Sequence, residues 1–185
     1  ILEDIKNDLQ KFGVSFDNWV SESGFFKTGK VDELLRQLEE KGFIYSAEGS
    51  KWFKSSAFGD EKDRVVVKRD GSYTYLASDI AYHKDKIDRG YDTLINIVGP
   101  DHHGYIPRVK AVVETLGFNP ENLNFIIVQL TTLYRGKEKL SMSTRKGQFI
   151  SLKQLMDEVG PDASKFFFIF RKADNDAERN VTDKA

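Results

Sequence analysis

The chain predicts an α/β fold: half of a doubly wound domain with a parallel sheet, preceded by a smaller α+β segment and followed by the start of a helical one. Three observations predict it. From Ser78 onward, helical spacing and short apolar runs alternate, with brief turns between them. Before that, helical stripes, a hairpin and two further short strands follow one another without such alternation. After Ser151 only helical spacing remains. The divisions fall at residues 1–74, 75–150 and 151–185.

Each element rests on its own signal. Ile1, Ile5, Leu9 and Phe12 recur at helical spacing, and Gly13 stops the run. Val14 to Trp19 reads as a short extended piece, and Ser21 to Gly29 as a loop carrying Phe25 and Phe26. Val31, Leu34, Leu35 and Leu38 form one apolar stripe, closed by Gly42. Phe43 to Tyr45 and Lys51 to Lys54 flank the turn Ala47-Glu48-Gly49-Ser50 as a hairpin. Val65 to Val67 is a strand, and Asp70-Gly71 turns the chain into a further strand, Tyr73 to Leu76.

Ser78 is the expected N-cap of a helix from Asp79 to Arg89, with Gly90 at its C′ position. Thr93 to Val98 is an apolar strand, His102 to Leu116 a helix, and Phe125 to Leu130 a second apolar strand. Ser151 to Val159 and the Phe166 to Phe170 run are helical. Phe166-Phe167-Phe168 is expected to straddle a buried helix face, and His83, near Lys84 and Lys86, to be a surface side chain. Trp19 and Trp52 read as packing residues.

Composition narrows the function. There are 185 residues and a net charge of −1, so no global basic field recruits nucleic acid. Cysteine is absent, which excludes disulfides and thiolate metal sites, and only His83, His102 and His103 could supply imidazoles. No metal site is expected of the chain itself. No apolar run is long enough to span a bilayer, no signal region is visible, and a cytoplasmic monomer is expected. The first residues lie inside an amphipathic pattern without an initiator Met, and the last are polar. Both ends read as cuts in a longer enzyme.

Three constellations could carry chemistry. Gly99-Pro100-Asp101-His102-His103-Gly104 follows an apolar strand and opens a helix, so it lies at a strand's carboxyl end, where open α/β sheets bind ligands. The plain alternative is a helix start capped by Asp101, with both histidines solvated. Tyr75 and Asp79 bracket a strand-to-helix turn. A carboxylate beside a phenol suits a cation such as a guanidinium, although the helix dipole alone favours an acid in a first turn. Met142-Ser143-Thr144-Arg145-Lys146-Gly147 joins short hydroxyls, two cations and a glycine, which suits phosphates. Arg135, Lys137 and Lys139 add to its charge. The spaced glycines of a Walker loop are missing.

Together these residues resemble a class I aminoacyl-tRNA synthetase, and more closely an arginyl-tRNA synthetase. The resemblance runs through Phe12 to Asp17, Ser21-Glu22-Ser23, Asp79 to His83, Gly99 to Tyr105, Val128-Gln129 and Met142 to Gly147. Met142 to Gly147 is similar to the family's mobile signature loop, usually Lys-Met-Ser-Lys-Ser; here Ser141 and Thr144 stand where lysines are usual, and Arg145 and Lys146 are displaced. The His-Ile-Gly-His signature is absent.

The resemblance implies the second half of a Rossmann-like parallel-sheet catalytic domain, with an α+β insertion and the first helices of an anticodon-binding domain. It implies that Tyr75, Asp79 and His102 bind arginine. Gly99, Asp101, His102, Gln129, Met142 and Ser143 would bind the nucleotide, and Thr144, Arg145 and Lys146 would act on the ATP phosphates. The implied cofactors are ATP and its Mg²⁺; the implied partners are arginine and tRNA(Arg), with no membrane. A fragment alone is expected to be inactive. Two rivals stand beside this: a metal-dependent phosphoesterase using Asp101-His102-His103, which needs further ligands, and a non-catalytic nucleotide- or RNA-binding module.

Overall fold

The computed structural model describes residues 1–129, 132–139, 149–170 and 178–180. Its contacts divide the chain into two compact units, Val20–Ile127 and the combination of Ile1–Trp19 with Val128–Ala185. This division crosses the sequence partition at 74/75: the segment after Val20 and the helix that begins at Tyr75 share one core.

The Val20–Ile127 unit starts with helices α2 (Glu22–Lys27) and α3 (Lys30–Glu40), then strands β1 (Ile44–Ala47), β2 (Ser50–Phe53) and β3 (Arg64–Val67). The stretch read as a loop thus holds α2, because Phe25 is buried in the core and orders the turn around it. The three strands form an antiparallel sheet in the order β1-β2-β3. The expected hairpin turn has positive φ at both Glu48 (52°) and Gly49 (76°), the pairing that matches strand twist. Val31, Leu34, Leu35 and Leu38 are buried, as their spacing requires.

The strand expected over Tyr73 to Leu76 does not form. Tyr73 makes one isolated bridge to Val67, and helix α4 (Tyr75–Asp88) begins at once, with Thr74 as the N-cap residue. Leu76, Ala77, Ile80 and Ala81 are buried at helical spacing, so burial in the shared core outweighs the β-preference of the aromatic residues. Ser78 is consequently no cap. It is buried inside α4, its hydroxyl within reach of Glu22 Oε1 at 2.6 Å and the Tyr75 carbonyl at 2.9 Å. Gly90, at φ 79°, follows the helix in the left-handed conformation expected of a C′ glycine.

Strands β4 (Leu94–Val98) and β5 (Leu123–Ile127) pair in parallel, with helix α5 (Ile106–Thr115) between them in sequence. Leu123 rather than Phe125 opens β5, and Leu94, Val109, Val113 and Leu123 form a small core of their own. The helix expected from His102 is split: Pro100–Tyr105 is a 3₁₀ turn, and α5 starts at Ile106. Pro107 has no N–H for an α-type bond to the preceding turn, which favours a break there.

In the other unit, helix α1 (Leu2–Lys11) precedes a stretch that joins no strand among the described residues. Strands β6 (Thr132–Arg135), β7 (Glu138–Lys139) and β8 (Glu178–Asn180) form a small sheet. Helix α6 (Leu152–Val159) opens with a capping box, in which Ser151 and Gln154 satisfy each other's backbone N–H groups. Helix α7 (Pro161–Phe170) carries the phenylalanine run. Phe12 meets Phe168 edge-on at 6.3 Å, yet Phe166, Phe168 and Phe170 are 56%, 40% and 70% exposed, so this run does not straddle a buried face. No helix among the described residues is long and apolar enough to cross a membrane.

Candidate functional site

Within the Val20–Ile127 unit, a cavity of about 740 Å³ opens between α4 and the carboxyl half of β4. Helical spacing puts Tyr75, Asp79, Tyr82 and Lys86 on its wall, since residues four and seven apart share a face. Tyr75 stands at the rim and is 84% exposed. Asp79, one turn deeper, is half-buried. His102 reaches the same cavity from the 3₁₀ turn after β4, and Glu22 from the start of α2.

The Asp79 carboxylate accepts a hydrogen bond from the Tyr105 hydroxyl. Burial pushes the Asp79 carboxyl above its ordinary range; Tyr105's hydrogen bond opposes this, Glu22's charge reinforces it, and Lys86 and His102 oppose it more weakly. Burial and the neighbouring carboxylate lift the Tyr105 phenol far above its usual range, so it remains a donor. The cavity wall therefore carries an acid kept short of positive partners, a second acid at the rim, and three phenols, Tyr75, Tyr82 and Tyr105. A cation with several N–H donors supplies what this set lacks.

Deeper along α4, Lys86 donates to Asn96 Oδ1 at 2.8 Å and lies 4.2 Å from the Tyr82 ring centroid. Burial lowers its pKa. His83 is a correction to the sequence reading: its imidazole is buried, not on the surface. The polar strand residue Asn96 offers it a partner at 3.0 Å, which makes burial tolerable.

Tyr75, Asp79 and His102 are thus brought together. Gly99 and Asp101 lie beside them at the end of β4. Asp101 is exposed and does not cap the turn; Gly99 occupies the N-cap position without any side-chain cap bond. A Cβ at Gly99 would stand 2.7 Å from Asp101 Oδ1, the end of an exposed side chain that can swing aside, so the position does not demand glycine. Gln129 follows β5 by two residues and belongs to the other unit. Met142, Ser143, Thr144, Arg145 and Lys146 lie outside the described residues.

The sequence model of the family described as class I tRNA synthetases (R), catalytic domain, matches residues 1–178. The chain belongs to this family. An arginine–tRNA ligase from Hydrogenovibrio crunogenus is 56% identical over 174 residues, covering 94% of this chain and 29% of that protein. One from Bacillus licheniformis is 54% identical over 170 residues, covering 92% of the chain and 31% of its own length. The chain spans about three-tenths of the curated relatives it matches. Among solved structures, an arginyl-tRNA synthetase from Campylobacter jejuni superposes with a TM-score of 0.88 at 43% identity, over 98% of this chain and 39% of that one. The parallel pair β4–β5 with its flanking helices is thus part of a Rossmann-like catalytic fold.

Glu22, Lys86, Asn96 and Tyr105 join the cavity although no site role for them follows from the sequence reading. Signals existed. Glu22 and Tyr105 lie inside stretches that carry the family resemblance. Lys86 is seven residues from Asp79 on one helix face, and Asn96 is the lone polar residue of β4.

Proposed function

We propose that the chain is the arginine-binding part of an arginine–tRNA ligase. One observation carries this: Asp79, Tyr75, Glu22 and His102 line a single cavity whose carboxylates can take a guanidinium. Asp79 receives the guanidinium, Tyr75 covers it at the rim, and His102 lies toward the α-amino acid end. Gly99, Asp101 and His102 border the nucleoside, with Gln129, Met142 and Ser143. Thr144, Arg145 and Lys146 neutralise the ATP phosphates.

In this reading the arginine carboxylate oxygen attacks the ATP α-phosphorus and pyrophosphate leaves. A terminal ribose hydroxyl of tRNA(Arg) then attacks the adenylate's carbonyl carbon and AMP leaves. The protein's part is positioning and charge stabilisation, with no covalent enzyme intermediate. Magnesium enters with ATP. Among the described residues no group of three or more His, Asp or Glu is placed to hold a metal.

The same finding weighs against the phosphoesterase reading: Asp101 and His102 stand 3.8 Å apart with no third ligand among the described residues. Family membership favours the ligase over a non-catalytic module as well. The divisions at 74/75 and 150/151, a monomeric state and a cytoplasmic setting belong to this proposal.

The test is arginine-dependent ATP–pyrophosphate exchange, with tRNA present, in the full-length ligase containing this chain. Asp79→Ala removes a charge-assisted pair and raises the arginine KM on the order of a hundredfold, while the ATP KM stays near wild type. An unchanged arginine KM rejects the assignment. The 185-residue chain alone does not charge tRNA; robust charging by it would reject the view that it is one part of the enzyme.

A further inference from the structure

The cavity's acid is held by a residue of the cavity wall that is itself braced by residues outside the cavity lining. Tyr105 is the last residue of the 3₁₀ turn, and its hydroxyl donates to Asp79 Oδ2. The ring is held in turn. Arg108 places its guanidinium carbon 4.6 Å from the Tyr105 ring centroid, and His102 meets the same ring edge-on at 6.2 Å. Arg108 Nε is buried, makes no hydrogen bond, and lies 3.6 Å from Asp60 Oδ2. Its guanidinium is thus placed by charge and by stacking.

Asp60 is itself immobilised. Its side chain is 2% exposed, Arg64 grips it through two bonds of 2.7 Å, and the Glu61 N–H donates to it at 2.8 Å. Asp60 and Arg64 belong to the α+β segment, at the entry to β3, far in sequence from Asp79.

We propose that Tyr105 is a positioning residue for the Asp79 carboxylate, and that Arg108, anchored by Asp60, sets the orientation of the phenol. The α+β segment then contributes to binding by bracing the acid that reads the substrate's cation. This rests on the arginine-binding reading above. The charged and titratable groups facing Asp79 are Glu22 from α2, Lys86 from α4, and His102 and Tyr105 from the 3₁₀ turn. Without the phenol's proton, burial and Glu22 meet less opposition, and Asp79 holds its own proton to higher pH.

The experiment is the same exchange assay on the full-length ligase, read as arginine KM, kcat and pH profile. Tyr105→Phe keeps the ring and removes the donor. It raises arginine KM about tenfold, changes kcat less than twofold, and moves the acid limb of kcat/KM upward. Arg108→Met raises KM about threefold, and Arg108→Lys, which returns a cation to the ring, recovers most of that loss. Because Arg108 acts through Tyr105, the double variant Tyr105→Phe/Arg108→Met is no weaker than Tyr105→Phe alone.

A wild-type KM and an unmoved acid limb in Tyr105→Phe overturn the proposal, as do multiplying effects in the double variant. Should Arg108→Met lose its fold by circular dichroism, Arg108→Lys takes its place in the cycle. Asp79→Ala separates the two levels. If it leaves arginine KM unchanged, the pocket reading fails; if it raises KM while Tyr105→Phe is silent, only the bracing role fails.

Discussion

Asn96 donates its side-chain amide to Nε2 of His83 across 3.0 Å, joining the one polar residue of β4 to the middle of α4. The direction of that bond follows from its neighbours. The Asp79 carbonyl, 2.8 Å from Nδ1, can only accept, so Nδ1 carries the proton and Nε2 accepts. Lys86 meanwhile donates to Asn96 Oδ1, which leaves the amide N–H₂ facing the ring. The polarity runs one way from Lys86 through Asn96 and His83 to the helix backbone, and a second proton on the imidazole breaks it.

His83 therefore stays neutral far below the usual imidazole range. Burial, with help from the Lys86 charge, lowers its pKa from 6.5 to about 4. An imidazole in the unfolded chain takes up its proton near 6.5, so between these values the unfolded state binds more protons. Stability accordingly falls as the pH drops through that window, by on the order of 3 kcal/mol at about 1.4 kcal/mol per unit. Nitrogen-15 chemical shifts check this directly: the Nδ1–H tautomer persists unchanged from pH 7 to 5. Titration of His83 near 6.5 contradicts it.

Asp79 costs the fold stability, and in the proposed function that cost serves binding. Its carboxyl is raised above the ordinary value, chiefly by burial, so folding favours the protonated acid more than the unfolded chain does. Stability accordingly falls as the pH rises from the unfolded-state pKa to the folded one, and the loss is complete above the folded value. Asp79→Asn keeps the shape and the acceptor for Tyr105 but removes the charge. The expected outcome is a melting temperature at pH 7.5 equal to or above wild type, together with a large loss of arginine affinity in the full-length enzyme. A lowered melting temperature in this variant counts against the argument.

Asp60 works in the opposite sense. The hydrogen-bonded Arg64 guanidinium holds its carboxyl down to about 2, against the ordinary 3.8. A depressed acid contributes stability above its unfolded pKa, and the contribution is lost as the pH falls through 3.8 toward 2. At pH 7, Asp60→Asn leaves Arg64 and Arg108 without their counter-charge and costs about 3 kcal/mol. Urea unfolding measures it: the midpoint drops while the slope is retained. A midpoint within error of wild type shows that the pair contributes nothing to stability.

The helices with one apolar stripe were legible in the sequence. Val31 to Leu38 and the helical run from Ser151 to Val159 read correctly because periodicity is local. Tyr73 to Leu76 was not, since aromatic and β-branched residues favour a strand while burial of Leu76 and Ala77 decides for helix. His83 misled for a related reason. Two lysines beside it in sequence point toward solvent, but the helix turns its ring inward onto Asn96, thirteen residues away. The candidate site was half legible: Tyr75, Asp79 and His102 carry chemistry by type, whereas Tyr105 and Glu22 acquire a role only through what they touch.

The order of amino acids alone determined the α/β class, the parallel pairing of two apolar strands through a helix, and the resemblance to a synthetase. Those properties depend on spacing and on short motifs, which survive without knowledge of what packs where. Tertiary structure alone decided that Asp79 answers to a phenol 26 positions later and that Asp60 stands behind that phenol through Arg108. Charge, burial and hydrogen-bond direction are properties of neighbours in space, and no periodicity along the chain encodes them.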